Sequence, residues 1–257
     1  MKRFTAEDTP ATVVLSVVCA MRNVAHCVEG FLDSYRREHT VDTQLIIMDG
    51  ASSDGTWEIL LRHRDIIDVA ISEIDSGIYD AWNKALPICA GQYVSFIGAD
   101  DLIADGGIRN LIAACHSVQS EPHIIAGFNI HTRQRVPVAL LGAPYDPSRL
   151  YRQMIIAQVM SAHRLSWLVA ARGFDASYRS SGDYELLLRE RASLRVEIIN
   201  VILAYMEDGG TSRTSLPLIF MEDYRARHRN GVPRWICAAL LARALLGLVG
   251  RKLGLRR

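Results

Sequence analysis

Apolar positions along the first two-thirds of the chain follow two alternating rhythms. Segments 13–19, 44–48, 69–71 and 93–97 are short, nearly continuous apolar runs, the pattern of strands buried on both faces. Between them the spacing turns helical. Val24, Val28, Phe31, Leu32 and Tyr35 recur behind Asn23 as a candidate N-cap, and 55–64 carries Trp57, Ile59, Leu60 and Leu61. Segments 78–88 and 107–117 read the same way. This alternation predicts an α/β architecture, a mostly parallel central sheet flanked by helices. Beyond residue 120 the pattern is less regular. Segments 123–130 and 133–141 predict a hairpin turning at His131-Thr132, 181–191 a helix, and 195–199 and 202–205 short strands. At Leu216 the composition changes: Arg225, Arg227, Arg229 and Arg234 precede an apolar stretch at 235–249, and Arg251, Lys252, Arg256 and Arg257 follow it. The chain therefore divides into a domain over 1–215 and a basic, apolar helical tail over 216–257.

The chemistry lies where strands end. The 44–48 run leads into Asp49-Gly50-Ala51-Ser52-Ser53-Asp54-Gly55-Thr56, and the 93–97 run into Gly98-Ala99-Asp100-Asp101. Between them, Ser72-Glu73-Ile74-Asp75-Ser76-Gly77 opens the helix that ends in Asn83-Lys84. Ligands of parallel sheets bind beyond the carboxyl ends of the strands, where all three acidic loops fall. Adjacent carboxylates at the end of a buried strand are costly unless a cation neutralises them, and a divalent metal on a diphosphate is the usual one.

Composition adds mainly exclusions. The net charge of +1 gives no general attraction to nucleic acid. Five scattered cysteines without a C-x-x-C pair read as reduced core residues of a cytosolic protein, and the polar N-terminus has no secretory signal. Gly50 and Gly55 have P-loop spacing, but Thr56-Trp57 stands where Lys-Ser/Thr is required. No G-x-G-x-x-G follows the first strand, no nucleophile elbow is present, and the histidines have no zinc spacing. Of the acidic residues, Asp54 reads equally as a cap of the helix at Gly55 and as a ligand contact, whereas Asp49 has no local capping job and points to function. Asp183, in Gly182-Asp183-Tyr184-Glu185, is a helix cap or the general base that a transferase needs for its acceptor hydroxyl; spacing does not separate the two.

These motifs, with Gly173-Phe174-Asp175 and Gly209-Gly210-Thr211-Ser212 further on, resemble in order those of the family 2 glycosyltransferases, especially bacterial members that build surface polysaccharides. The resemblance spans residues 13 to about 210. It implies the GT-A fold and an inverting transfer from a nucleotide-sugar donor to a saccharide or polyprenyl-diphosphate-linked acceptor. It places Asp49, Asp54, Asp75, Lys84 and Asp100 at the nucleotide-sugar, Asp101 on Mg²⁺ or Mn²⁺, and Asp183 as the base. Three departures stand out: Gly50 where many relatives carry a second acid, Ala20-Met21-Arg22-Asn23 after the first strand, and Ala157-Gln158 where His-Gln is common.

The tail's apolar stretch would span roughly 22 Å as a helix, short of the ~30 Å hydrocarbon core. Its basic flanks suit a helix lying on an anionic membrane surface through 232–257, or one packed on protein. Two rival functions remain, a non-catalytic nucleotide-sugar-binding scaffold and a sugar-phosphate nucleotidyltransferase; the latter would need a Gly-rich basic loop after the first strand, which this sequence lacks.

Overall fold

The computed structural model describes residues 1–6, 12–207 and 216–252. In chain order it forms β1 (Lys2–Thr5), β2 (Leu15–Met21), α1 (Val28–Glu38), β3 (Thr43–Asp49), α2 (Thr56–Arg62), β4 (Val69–Ser72) and α3 (Ile78–Ala85). Next come β5 (Tyr93–Gly98), β6 (Leu102–Ile103), α4 (Gly107–Ser117), β7 (Ile124–Arg133), β8 (Val136–Leu141) and α5 (Pro147–Leu150). The remainder is β9 (Ala162–Arg164), α6 (Leu165–Ala170), α7 (Gly182–Glu190), β10 (Val196–Glu207), α8 (Leu216–Arg229) and α9 (Arg234–Lys252). The Gly209–Ser212 motif lies outside the described residues.

All ten strands join one sheet in the order β1-β4-β3-β2-β5-β9-β7-β10-β6, with β8 on β7. Its centre, β4-β3-β2-β5, is parallel. Antiparallel pairings are confined to the β1 edge and to β6, β8 and β9. Alternating residues of the central strands feed two cores. Val17, Cys19, Leu45 and Ile47 face α1, α2 and α4, while Val18, Ile46 and Met48 face α3 and α7. Each fully buried Ile or Leu contributes about 1.5–3 kcal/mol, so the strands are fixed on both faces. The chain proceeds from β2 through β3 to β4 on one side, then crosses to place β5 on the other side of β2. That reversal opens a crevice beyond Met21, Asp49, Ser72 and Gly98, which end the four parallel strands.

Several expected details differ. α1 begins at Val28, with Cys27 rather than Asn23 at its N-cap position. Asn23 instead adopts a positive φ of 54° and ties two loops together: its backbone N–H donates to Ser52 Oγ and its Oδ1 accepts from Ser53 N–H. The β7–β8 hairpin turns at Gln134-Arg135, not His131-Thr132. Both turn residues have positive φ, 51° and 64°, as a two-residue turn matched to strand twist requires. The helix expected over 78–88 ends at Ala85 and passes into a single 3₁₀ turn, Leu86–Ile88, that contains Pro87. Segments 195–199 and 202–205 are one strand, β10, interrupted by irregular register between Ile198 and Ala204. The short strands β1, β6 and β9 have no period long enough to read from sequence.

α8 is joined to α7 by buried polar contacts. Glu222 accepts the N–H groups of Arg179, Ser180 and Ser181 at 2.7, 2.8 and 2.9 Å. Arg227 donates to Tyr151 O, Arg152 O, Tyr184 Oη and Asp223. Among the described residues no helix is long and apolar enough to cross a membrane.

Candidate active site

Asp49 ends β3 and is almost fully buried. Contrary to the expectation that it lacks a local role, its carboxylate is well occupied. It accepts from Ser72 Oγ at 2.5 Å, from Ser52 Oγ, and from the Ser52 N–H. The parallel register sets Ser72 beside Asp49, so the two strand ends are locked together. Asp54 is exposed and does more than start its own helix. Oδ1 accepts from Thr56 N–H and Oγ1, and Oδ2 from Ala25 N–H at 2.9 Å, stapling the β2–α1 loop to the β3–α2 loop. Those hydrogen bonds, with the Thr56 hydroxyl foremost, lower its pKa.

Asp75 accepts from Gly77 N–H through Oδ1, while Oδ2 lies over Gly50. A Cβ on Gly50 would meet that oxygen at 2.5 Å. The bare glycine is therefore the reason the Asp75 carboxylate can fold over the end of β3. Lys84 is held by Glu73 at 3.2 Å, Asp80 at 3.3 Å and Ile74 O at 3.0 Å. An ammonium group has three donors, so Lys84 fixes the loop that carries Asp75.

Asp100 and Asp101 converge above Gly98. A Cβ there would meet Asp100 Oδ1 at 2.7 Å and Asp101 Oδ2 at 3.1 Å. Asp101 is buried, and its pKa is pushed up to about 8 by burial first and by Asp100 second. Two carboxylate oxygens aimed at one point, one of them short of counter-charge, fit a hard divalent cation. Among the described residues no group of three or more His, Cys, Asp or Glu converges, so protein oxygens would fill only part of such an ion's shell.

Asp183 lies in the first turn of α7, and its Oδ1 accepts from Tyr79 Oη at 3.0 Å and from Tyr184 N–H at 2.9 Å. Burial raises its pKa to about 6, with a smaller contribution from the Asp223 charge. Tyr79 comes from α3, 104 residues earlier in the chain. It reaches Asp183 because Gly182 has no side chain: a Cβ there would come within 2.8 Å of the Tyr79 ring. Tyr79 is in turn set by Trp82 and Phe174. Asn83 anchors Phe174 by accepting its N–H and donating to its carbonyl. In the sequence Tyr79 has no role beyond its place in the helix expected over 78–88; its hydroxyl pairing is a tertiary fact. Glu222 and Asp223, the acids of α8, were likewise unmarked. Yet Glu222 holds the loop before α7, and Asp223 accepts the Ser181 hydroxyl at 2.9 Å.

The parallel-centred sheet, with acidic loops at its switch point and a raised-pKa carboxyl at the end of an adjoining helix, is the GT-A fold of nucleotide-sugar transferases. Residues 16–137, just under half of the chain, match the family model "Glycosyl transferase family 2", a stretch that runs from β2 into the start of β8. The chain is similar to the "PGL/p-HBAD biosynthesis glycosyltransferase" of Mycobacterium bovis, 25% identical over 236 residues that cover 86% of this chain and 88% of the relative. It is also similar to the "UDP-Glc:alpha-D-GlcNAc-diphosphoundecaprenol beta-1,3-glucosyltransferase WfaP" of Escherichia coli, 28% identical over 109 residues, 42% of each chain. Among solved structures, the mannosyltransferase PcManGT from Pyrobaculum calidifontis, in complex with GDP-Man and Mn²⁺, superposes with a TM-score of 0.66 at 15% identity. That match covers all of this chain and 85% of the other, and it carries the fold alone.

Proposed function

We propose that this protein is an inverting, divalent-metal-dependent glycosyltransferase. It moves a sugar from a nucleotide-sugar donor to a lipid-linked saccharide in bacterial polysaccharide assembly. The observation that carries this reading is the pairing of two unlike carboxylate sites on one fold. Asp100 and Asp101 converge where a cation would sit, and Asp183 is held by Tyr79 at a pKa suited to taking a proton. The relatives that are bacterial glycan-building transferases, one named for a diphosphoundecaprenol acceptor, support the acceptor class.

In this reading the nucleoside lies against the Asp49 and Asp75 loops, whose carboxylates accept hydrogen bonds from the base and ribose. Asp54 and Lys84 hold the two loops in place. Asp100 approaches the ribose and diphosphate, and Asp101, with the diphosphate oxygens, would hold Mg²⁺ or Mn²⁺. When bound, that ion offsets the negative charge that grows on the departing diphosphate. Asp183, on α7, takes the proton of the acceptor hydroxyl. The acceptor oxygen attacks the anomeric carbon as the bond to the diphosphate oxygen breaks on the opposite face, so the configuration inverts. Tyr79 orients the base through its hydroxyl, and the N-terminal turn of α7 favours the carboxylate form that does the work.

The test is a thermal-shift screen of nucleoside diphosphates with and without Mn²⁺, combined with Asp101→Asn. A metal-dependent rise for one nucleotide, lost in Asp101→Asn, is expected, because a ligand that binds only the native state stabilises it. No shift with any nucleotide refutes the reading. Nucleotide binding without turnover on any lipid-linked acceptor would leave the scaffold alternative.

A further inference from the structure

Away from the donor loops, α8, α9 and the segment 149–154 enclose a groove of about 640 Å³. Its size is that of a small-molecule site, and its lining combines two chemistries. Phe220, Leu240 and Leu241 give it an apolar wall, while Arg149, Arg152 and Arg243 give it a cationic one. The groove also contains Arg227 and Asp223, but these neutralise each other at 3.1 Å. The other three arginines form no ion pair among the described residues, though the Asp146 charge lies near Arg149 beyond ion-pair distance. Arg149 and Arg243 are exposed and form no side-chain hydrogen bond or ion pair with the described residues. Arg152 donates only to the hydroxyl of Tyr151, leaving most of its guanidinium fork open. Guanidinium groups gathered on an apolar wall suit a multiply charged phosphate that carries a hydrocarbon chain.

The groove also has a direction. Asp223, on its wall, accepts the Ser181 hydroxyl, and Ser181 lies two residues before Asp183. α9 also turns a second face outward. Trp235, Ala239, Ala242 and Leu246, spaced as one helical stripe, are exposed, with Trp235 at 73% and Leu246 at 71%. One side of α9 thus lines the groove and the next presents apolar surface to the surroundings, the arrangement of a helix in a bilayer's headgroup layer.

We propose that this groove receives the diphosphate and first isoprenoid units of a polyprenyl-diphosphate-linked acceptor. Arg149, Arg152 and Arg243 take the phosphate oxygens, and Phe220, Leu240 and Leu241 take the hydrocarbon. The sugar attached to the diphosphate is then delivered toward the Asp183 side of the site, while the rest of the chain leaves along the exposed stripe of α9. This site rests on the lipid-linked acceptor proposed above, and its failure is separable from failure of that reading.

The test uses the full chain with farnesyl diphosphate as probe, and nucleoside diphosphate with Mn²⁺ present to fill the donor site. Inorganic diphosphate and phosphatidylglycerol vesicles serve as comparisons. The variants are Arg149→Glu combined with Arg243→Glu, both exposed and in no ion pair among the described residues, and Leu241→Gln. Farnesyl diphosphate should bind without being displaced by nucleotide, and the double arginine variant should bind it at least about tenfold more weakly. Leu241→Gln should weaken farnesyl diphosphate but not inorganic diphosphate. Unchanged binding in the arginine variant, displacement by nucleotide, or equal affinity for inorganic diphosphate would overturn the site. So would an equal loss of binding to phosphatidylglycerol vesicles, which would reduce the groove to a general anionic surface. A wild-type protein with no nucleotide shift would refute the transferase reading instead, whatever the probe does.

Discussion

Asp183→Asn keeps the shape of the side chain and an acceptor oxygen for Tyr79 Oη and Tyr184 N–H, and removes the charge, with an NH₂ group in place of the second oxygen. In the native protein burial and Asp223 hold this carboxyl near pKa 6, against an ordinary 3.8. The native state therefore binds the proton more tightly than the unfolded chain does. Stability falls as pH rises from about 4 to about 6, and the whole penalty is present at neutral pH. A displacement of that size corresponds to at most about 3 kcal/mol. Asp183 keeps part of its surface open to solvent, which screens the charge, so about 1–2 kcal/mol is expected. Asp183→Asn should gain that amount in urea unfolding near pH 8 and almost nothing near pH 3, where the wild-type carboxyl is largely protonated in both states. The same variant should bind nucleotide as before and lose turnover by about 10²–10⁴-fold. A variant no more stable than wild type near pH 8 would refute the burial argument, as would a stability gap independent of pH. Full turnover would refute the base assignment.

Three other outcomes follow from the same geometry. The pH profile of kcat should have an acid limb with an apparent pKa near 6, activity rising as Asp183 ionises; a profile flat through that region would remove it from the proton transfer. Glu222→Ala strands the N–H groups of Arg179, Ser180 and Ser181, so denaturant titration should show a loss of about 2–4 kcal/mol. In the same variant kcat should fall while the Mn²⁺-dependent nucleotide shift persists, because the base loop is disturbed and the donor loops are not. Gly182→Ala drives a methyl group into the Tyr79 ring and should cost about 1–3 kcal/mol, with the acid limb of the pH profile displaced as the Tyr79–Asp183 hydrogen bond is lost.

Sequence alone determined whatever depended on local rhythm. The apolar runs at 44–48 and 93–97 became β3 and β5 almost residue for residue, and segment 107–117 became α4, because each is long enough for its period to show. The parallel sheet followed from their alternation, and with it the placement of Asp49 at a strand end and of Asp75, Asp100 and Asp101 in the loops just beyond. Tertiary structure decided what those groups do to one another. Nothing local to Asp49 announces Ser72, which arrives through strand register. Nothing local to Asp54 announces Ala25. Lys84, read as a ligand contact, is held by Asp80 one turn earlier on α3 and by Glu73 and the Ile74 carbonyl, which the preceding loop folds back onto it. The short strands β1, β6 and β9 exist because neighbours supply their hydrogen bonds, not because their residues insist on it. The ambiguity of Asp183 between helix cap and base is the clearest case. Sequence places it in the first turn of a helix, whereas its pKa is raised by burial and then by Asp223 on α8, and its Tyr79 partner comes from α3. A pKa is a property of everything within a few ångströms, and only the folded chain brings those groups within range.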